Sequence, residues 1–402
     1  MILSRKNSAI SSSPTLAIDA KFKAMKEQGK DVISFGVGEP DFDTPQNVKQ
    51  AGIDAINQGW TKYTPTRGFL KLQYVIAAQL MRDDRMVYDE GNIVVSNGTK
   101  HSLTNAFMAI LNPGDEVIIP APYWVSYPEI VKIADGTPVI VQTSEANDFK
   151  ITAAEFENSI TANTKAIIIN SPCNPTGAVY TLEELESLAN VAKKHKIFAI
   201  SDEVYGQFIY NDVKHATIAK FIPYETIIVS GVSKSHAMTG WRIGYTASTA
   251  EIAQIIENIQ SHTTSNASSI SQAAAIEAFR RSSLGSVEQM RTEFNRRRLY
   301  LVDAINKISG ISCKAPDGAF YLWVNVKGLL GNTYYGSTIA NSYELCESLL
   351  ENAGIALVPG ECFGVPGYVR WSYAASMENI EKGVERLTTF VTHGEKTFVA
   401  HI

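Results

Sequence analysis

Five short segments of this chain are apolar on both faces, and each is followed at once by a cluster of polar residues. They are Asn92–Ser96, Glu116–Pro120, Ala166–Asn170, Ile197–Ser201 and Thr226–Ser230. A strand exposed on one side alternates apolar and polar residues. A strand that does not alternate is buried on both sides, as in a parallel sheet covered by helices. Helical patterns lie between these runs, from Thr99 to Leu111 and from Thr181 to about Lys194. The second opens on a capping box of Thr181 and Glu184. Strands alternating with helices predict a doubly wound α/β domain.

The chain has 402 residues, more than one domain needs. Past Ile252 the pattern is helical to about Ile308, and the basic run Arg296–Arg298 is expected to be a solvated helix face. Short strands return at Ala319–Val324, Ile355–Val358 and Tyr368–Ser372, which predicts a smaller α+β domain. No repeat or low-complexity linker separates the two.

Several function classes are excluded by what the chain lacks. A net charge of −5 argues against a general affinity for nucleic acid or anionic membrane. No apolar run reaches the ~18 residues of a membrane span. The N-terminal stretch lacks the apolar core of a secretory signal. The four cysteines (Cys173, Cys313, Cys346 and Cys362) are far apart, and the seven histidines show no ligand spacing. Neither a disulfide framework nor a metal site is expected, and a cytoplasmic location fits. There is no P-loop motif and no dinucleotide fingerprint after the first strand.

Ligands of open α/β sheets bind beyond the carboxyl ends of the strands, where this chain gathers its polar residues. The clusters are Asn97–Lys100, Tyr123–Trp124, Ser171–Gly177, Asp202–Tyr205 and Ser230–Lys234. They predict one shared cleft. Lys234 follows an apolar run, where a dry setting lowers the pKa of an amine and makes it nucleophilic. Arg242 suits a phosphate or carboxylate. These two are what a chain needs to carry pyridoxal 5′-phosphate as a Schiff base.

The other clusters suit parts of the same cofactor. Gly98 and Thr99 open a helix, where free N–H groups attract phosphate, and Ser233 adds a hydroxyl. The plain alternative is a strand-to-helix turn. Asp202 is placed to hold a pyridine nitrogen protonated, or simply to cap a helix. Tyr205 suits a phenolate oxygen, and Trp124 a planar ring; either is equally at home in a core. Arg370 sits inside an apolar run, so it is either a buried ion pair or a ligand for an anionic substrate. Lys100 in a first helical turn opposes the helix dipole, which favours a ligand role over a solvated one.

Taken in order, these motifs resemble the fold-type I, class I pyridoxal-phosphate aminotransferases. Within them the chain is similar to the bacterial aspartate aminotransferase subgroup, which also holds the prephenate aminotransferases. The resemblance covers nearly the whole chain. Its landmarks are Gly36–Pro45, Tyr63-Thr-Pro, Asn97–Lys100, Pro122–Pro128, Asn174–Gly177, Ser201–Tyr205, Ser233-Lys234, Met238–Tyr245 and Tyr368–Tyr373.

The resemblance implies a large mostly parallel-sheet cofactor domain at 46–290 and a smaller domain at 291–402. Residues 1–45 would form an arm and part of the small domain. Lys234 would be the Schiff-base lysine and proton carrier, with Asp202 on the pyridinium nitrogen. Tyr205 and Asn174 would meet the phenolate oxygen and Trp124 would stack on the ring. Gly98, Thr99, Ser233 and Arg242 would hold the phosphate, with Lys100 beside them. Tyr63 would reach the neighbouring subunit's phosphate, which implies a homodimer with shared sites. Arg370 would grip the α-carboxylate, helped by the Gly38 backbone and Asn174. Lys100 and Thr15 would address the distal carboxylate of a dicarboxylic substrate.

Two departures stand out. Many members carry a phosphate-binding Ser or Thr where this chain has Gly231, so Ser230 or Ser233 is expected to substitute. Cys173 stands where Asn or Gly is common. The expected reaction is ping-pong transfer between aspartate and 2-oxoglutarate, with a prephenate or aromatic transaminase as the rival. A lyase on the same fold is disfavoured by Arg370 and Lys100. A sensor module is disfavoured by the short segment before Gly36. The tail after Thr392 has no assigned role.

Overall fold

The computed structural model describes residues 4, 6 and 10–393. After a helix at Pro14–Glu27 and a two-residue strand, β1 (Ile33–Ser34), the chain builds its central sheet. The strands are β2 (Ile93–Ser96), β3 (Glu116–Ala121), β4 (Thr137–Gln142), β5 (Thr164–Asn170), β6 (Phe198–Asp202), β7 (Thr226–Gly231) and β8 (Gly244–Ala247). Their order across the sheet is β2-β8-β7-β6-β5-β3-β4. Pairing is parallel from β4 through β7, and β8 runs antiparallel to both of its neighbours. All five predicted strands are present.

The absence of alternation has the expected cause. Ile118 and Ile167 pack into a core with Leu185 and Leu188, whereas their neighbours Ile119 and Ile168 pack into another with Phe107 and Ile130. Both faces of the sheet are therefore covered. The helix Leu182–His195 starts where its sequence says: the Thr181 side chain accepts from the Glu184 N–H, and Glu184 reciprocates. Strand β8 lies inside the stretch that follows Lys234 and shows no separate apolar run, because it is only four residues long.

A second core gathers Val287, Met290 and Phe294 of the helix Leu284–Ile305, with Ile33 and Phe35 of the N-terminal segment and Tyr205, Phe208 and Tyr210 from beyond β6. It packs against β9 (Ser312–Cys313), β10 (Tyr321–Asn325), a hairpin of β11 (Thr333–Tyr334) and β12 (Ser337–Thr338), then β13 (Ile355–Ala356), β14 (Val358–Pro359) and β15 (Tyr368–Ser372). The expected strand at Ile355–Val358 is in fact two. β13 pairs with β1 of the N-terminal segment, and β14 pairs with β15. That split draws the N-terminal segment onto the small domain.

The basic run is corrected. Arg296 is exposed, but Arg297 and Arg298 are buried. Arg297 pairs with Asp41 at 2.7 Å and with Glu293 at 2.9 Å. Arg298 donates to the Pro316 carbonyl and to Asn211 and Asn295, with Tyr210 under its guanidinium. The reason is periodicity: consecutive residues on a helix point about 100° apart, so three arginines in a row cannot share one face. The last helix is Met377–Thr392, and the tail beyond His393 lies outside the described residues.

Candidate active site

All five predicted clusters contribute side chains to one cavity of about 340 Å³ at the carboxyl ends of β5, β6 and β7. Lys234 lies in the turn after β7. Burial pushes its amine down to about 8; Glu39 and Asp202 act against the shift, and Arg370 and Arg242 add to it. Its Nζ donates to the Gly38 carbonyl at 2.5 Å. A buried amine titrating near neutrality can act as nucleophile and as proton carrier.

Asp202 ends β6 and is almost fully buried. Burial pushes its carboxyl up to about 6, while a 2.6 Å bond from the Tyr127 hydroxyl and one from the Val204 N–H pull it back. The helix-cap alternative is not what the structure shows, since no helix starts there. Asn170, at the end of β5, donates to the Asp202 carbonyl and accepts from the Asn174 N–H, which ties the two strand ends together.

The anion end is built from closely packed backbone. Gly98 caps the helix Thr99–Ile110 with φ +88°, and a Cβ there would come within 2.2 Å of the Arg242 guanidinium. Arg242 itself adopts φ +61°, a left-handed conformation uncommon for an arginine. Its Nη1 donates to the Thr239 carbonyl, and its side chain turns into the cavity beside Thr99 and Ser233. The Thr99 hydroxyl is buried without a partner. Gly231 faces Gly244 across β7 and β8, and a Cβ on Gly231 would meet the Ile243 carbonyl at 2.7 Å. A side chain at position 231 would force the β8 backbone to shift. Of its two expected substitutes, Ser233 lines the cavity, whereas Ser230 turns behind the sheet and donates to the Glu203 carbonyl.

The cavity holds two further cations. Arg370, on β15, is 3% exposed. It donates to Asn174 Oδ1 at 2.9 Å and to the Gly36 carbonyl at 2.6 Å, and it lies between the Tyr321 and Phe363 rings. Among the described residues no carboxylate pairs with it, and its Nε has no partner. The ion-pair alternative is thereby removed, and Nε is left without an acceptor among the described residues. Lys100 sits 5.0 Å over the Trp124 ring, held below its ordinary pKa by burial and by Arg242. Thr15, on the N-terminal helix, completes the wall and contacts Ser13.

Some placements differ from expectation. The Gly38 carbonyl accepts a hydrogen bond from Lys234 Nζ, and Gly36 is the backbone partner of Arg370. The Tyr205 hydroxyl meets that of Tyr321 at 2.7 Å. Tyr63 is 89% exposed and does not line this chain's own cavity. Sequence reasoning missed the roles of Tyr127 and Tyr321. Tyr127 stood within a quoted motif, but only the fold aims it at Asp202. Tyr321 lies in an apolar strand and carries no local signal. Asp19 also lines the cavity, paired with Lys23.

Comparison with known proteins gives consistent relatives. Residues 30–387 match the family described as aminotransferase class I and II. The aspartate aminotransferase of Bacillus sp. (strain YM-2) is 46% identical over 97% of this chain and 99% of its own length. The aspartate/prephenate aminotransferase of Nitrosomonas europaea is 42% identical over 98% of this chain and 100% of its own. Among solved structures, the aspartate aminotransferase from Rhizobium meliloti superposes with a TM-score of 0.95 at 39% identity, covering 98% of this chain and 100% of that one. That of Thermus thermophilus, solved with maleate, does so with a TM-score of 0.92 at 38% identity, covering 97% and 100%.

Proposed function

The chain belongs to the class I and II aminotransferases, and on that premise we propose that it moves the amino group of L-aspartate to 2-oxoglutarate by ping-pong transfer. The observation that carries this reading is Arg370. It is buried, without a carboxylate partner, and in the same cavity as Lys234 and Lys100. Arg370 and Lys100 together suit a substrate with two carboxylates. The maleate in the Thermus thermophilus structure, a four-carbon dicarboxylate, favours the same class.

The donor set fits pyridoxal 5′-phosphate. The unpartnered Thr99 hydroxyl, Ser233 and Arg242 suit its phosphate, Asp202 its ring nitrogen, and the Lys234 amine its aldehyde. When bound, this cofactor supplies an electron sink for the charge left at Cα after proton loss. The chain's own residues do the rest. Lys234, with its amine lowered to about 8, takes the Cα proton and holds it. Arg370 orients the α-carboxylate through its planar fork, with Asn174 and Gly36 fixing the guanidinium. Lys100 and Thr15 meet the distal carboxylate, and an apolar substrate would leave Lys100 unpaired. Trp124 walls one face of the cavity and holds Lys100 in place. Tyr205 and Asn174 serve the phenolate oxygen, with Tyr321 setting the Tyr205 hydroxyl.

The 89% exposure of Tyr63 supports a homodimer in which it serves the partner's phosphate. The proposed division at 46–290 and 291–402 is supported by the core that gathers Leu301, Leu322 and Trp371, into which Tyr205, Phe208 and Tyr210 of the larger part also pack. All four cysteines are free thiols, which suits a reducing, cytoplasmic location. No helix among the described residues is long and apolar enough to cross a membrane. Prephenate also carries two carboxylates, and a relative is named for both activities. Measuring kcat/KM for aspartate, prephenate and phenylpyruvate separates the readings. Aspartate is expected to be a good donor; a poor rate with it would sink the aspartate assignment and leave prephenate.

A further inference from the structure

Behind the cavity floor lies a second group of ionisable side chains that the transamination chemistry does not use. Asp84 ends the helix Leu70–Asp84, Glu203 follows β6, and His215 comes from the loop beyond. One ligand atom from each lies within 4.8 Å of the others. His215 Nε2 stands 3.1 Å from Glu203 Oε2 and 3.7 Å from Asp84 Oδ1. Both carboxylates are at least nine-tenths buried. Asp84 Oδ1 is sealed from solvent and accepts no hydrogen bond. The three residues line a small cavity of about 20 Å³, room for one ion or water.

From this geometry we propose that Asp84, Glu203 and His215 form a binding site for a single first-row divalent cation, of the kind Zn²⁺ represents. Two ligands each ~2.1 Å from such an ion, at tetrahedral or octahedral angles, stand about 3.0–3.4 Å apart. The 3.1 Å separation falls inside that window and the 3.7 Å one just outside it, so an ion entering between them would replace the hydrogen bond of His215 to Glu203 and draw Asp84 in by a few tenths of an ångström. An imidazole with two carboxylates suits Zn²⁺ better than Mg²⁺ or Ca²⁺, which prefer oxygen alone. Glu203 is already oriented as a ligand. Its Oε1 accepts from Ser201 Oγ at 2.7 Å, which turns Oε2 toward His215. No metal was expected from the sequence, because positions 84, 203 and 215 have no ligand spacing. The competing explanation is an imidazolium between the carboxylates. Burial opposes a charge on His215, yet Glu203 and Asp84 hold it above its ordinary pKa.

Chelator-treated protein carrying pyridoxal phosphate, titrated with Zn²⁺ alone, tests this. The expected result is one saturable Zn²⁺ per chain by calorimetry and elemental analysis, with a higher thermal midpoint. Asp84→Asn and His215→Gln should each weaken binding by at least ~10²-fold. The unmodified protein provides a readout that does not depend on the variants folding. Loaded with Co²⁺, it should show the stronger visible absorption of a low-coordinate site. Substoichiometric Zn²⁺, binding untouched in both variants, or a Co²⁺ spectrum like that of the aqueous ion would overturn the proposal in favour of the imidazolium.

Discussion

The two ends of the cavity are built differently. At the anion end, Thr99, Ser233 and Arg242 hang from one sheet, and glycines 98, 231 and 244 bring backbone against backbone beneath them. At the substrate end, Arg370 comes from the small domain, Thr15 from the N-terminal helix, and Lys100 and Asn174 from the large domain. The first end is fixed by one rigid element. The second exists only when three parts of the chain are docked. Precision at the cofactor can therefore coexist with adjustment at the substrate.

The largest effect should come where the two ends meet. Lys234→Ala is expected to lower turnover by about 10⁴-fold or more, with loss of the visible absorbance of lysine-bound cofactor. If borohydride still fixed the cofactor to this variant, another lysine would be the one that matters. Next comes a cofactor-end change. Gly98→Ala forces a methyl into the Arg242 guanidinium and should weaken cofactor retention by about 10²-fold, ~3 kcal/mol. Equilibrium dialysis checks this, and unaltered retention would mean that the anion end is softer than described.

Arg370→Lys should act at the other end alone. Loss of the fork is expected to lower kcat/KM for aspartate about 10²-fold while cofactor affinity stays as it was. A parallel fall in cofactor affinity would erase the contrast between the ends. Lys100→Met should cost about 10-fold for aspartate and nothing for an apolar donor, because only a distal carboxylate uses that cation. Equal losses on both donors would reassign Lys100 to the cofactor end.

A last effect, read in stability and not in activity, is a pH dependence of the cofactor-free protein. The Lys234 amine falls from its ordinary 10.5 to about 8 in the fold. Between those values the unfolded chain holds the proton and the native one does not, so stability rises with pH across the window. That gain is complete above 10.5 and is lost as pH falls through about 8. Lys234→Met should flatten this slope in denaturant titrations at about pH 8 and about pH 10.

The anion end was also the more legible in sequence. Lys234, Asp202 and Thr99 each follow an apolar run at a strand end, a local signal that survives without the fold. Arg370 and Arg298 show the limit. Both are buried arginines without a carboxylate partner among the described residues, yet one keeps an unpartnered Nε toward a cavity and the other is held by Asn211, Asn295 and the Pro316 carbonyl. Their partners come from distant segments, so no window around either residue distinguishes them. The same holds for Tyr321 and for the split of Ile355–Val358 between two sheets.

The facing glycines of β7 and β8 have a consequence for how this enzyme can change. A Cβ on Gly244 would fall 2.3 Å from the Thr99 nitrogen, and one on Gly231 would strike the opposite strand. In a saturation library scored by growth, these two positions should tolerate no replacement under any selection. Lys100 and Thr15 should instead shift their preferred residue with the amino donor supplied. Adaptation to new substrates is thus channelled toward one half of the pocket, while the other half stays silent.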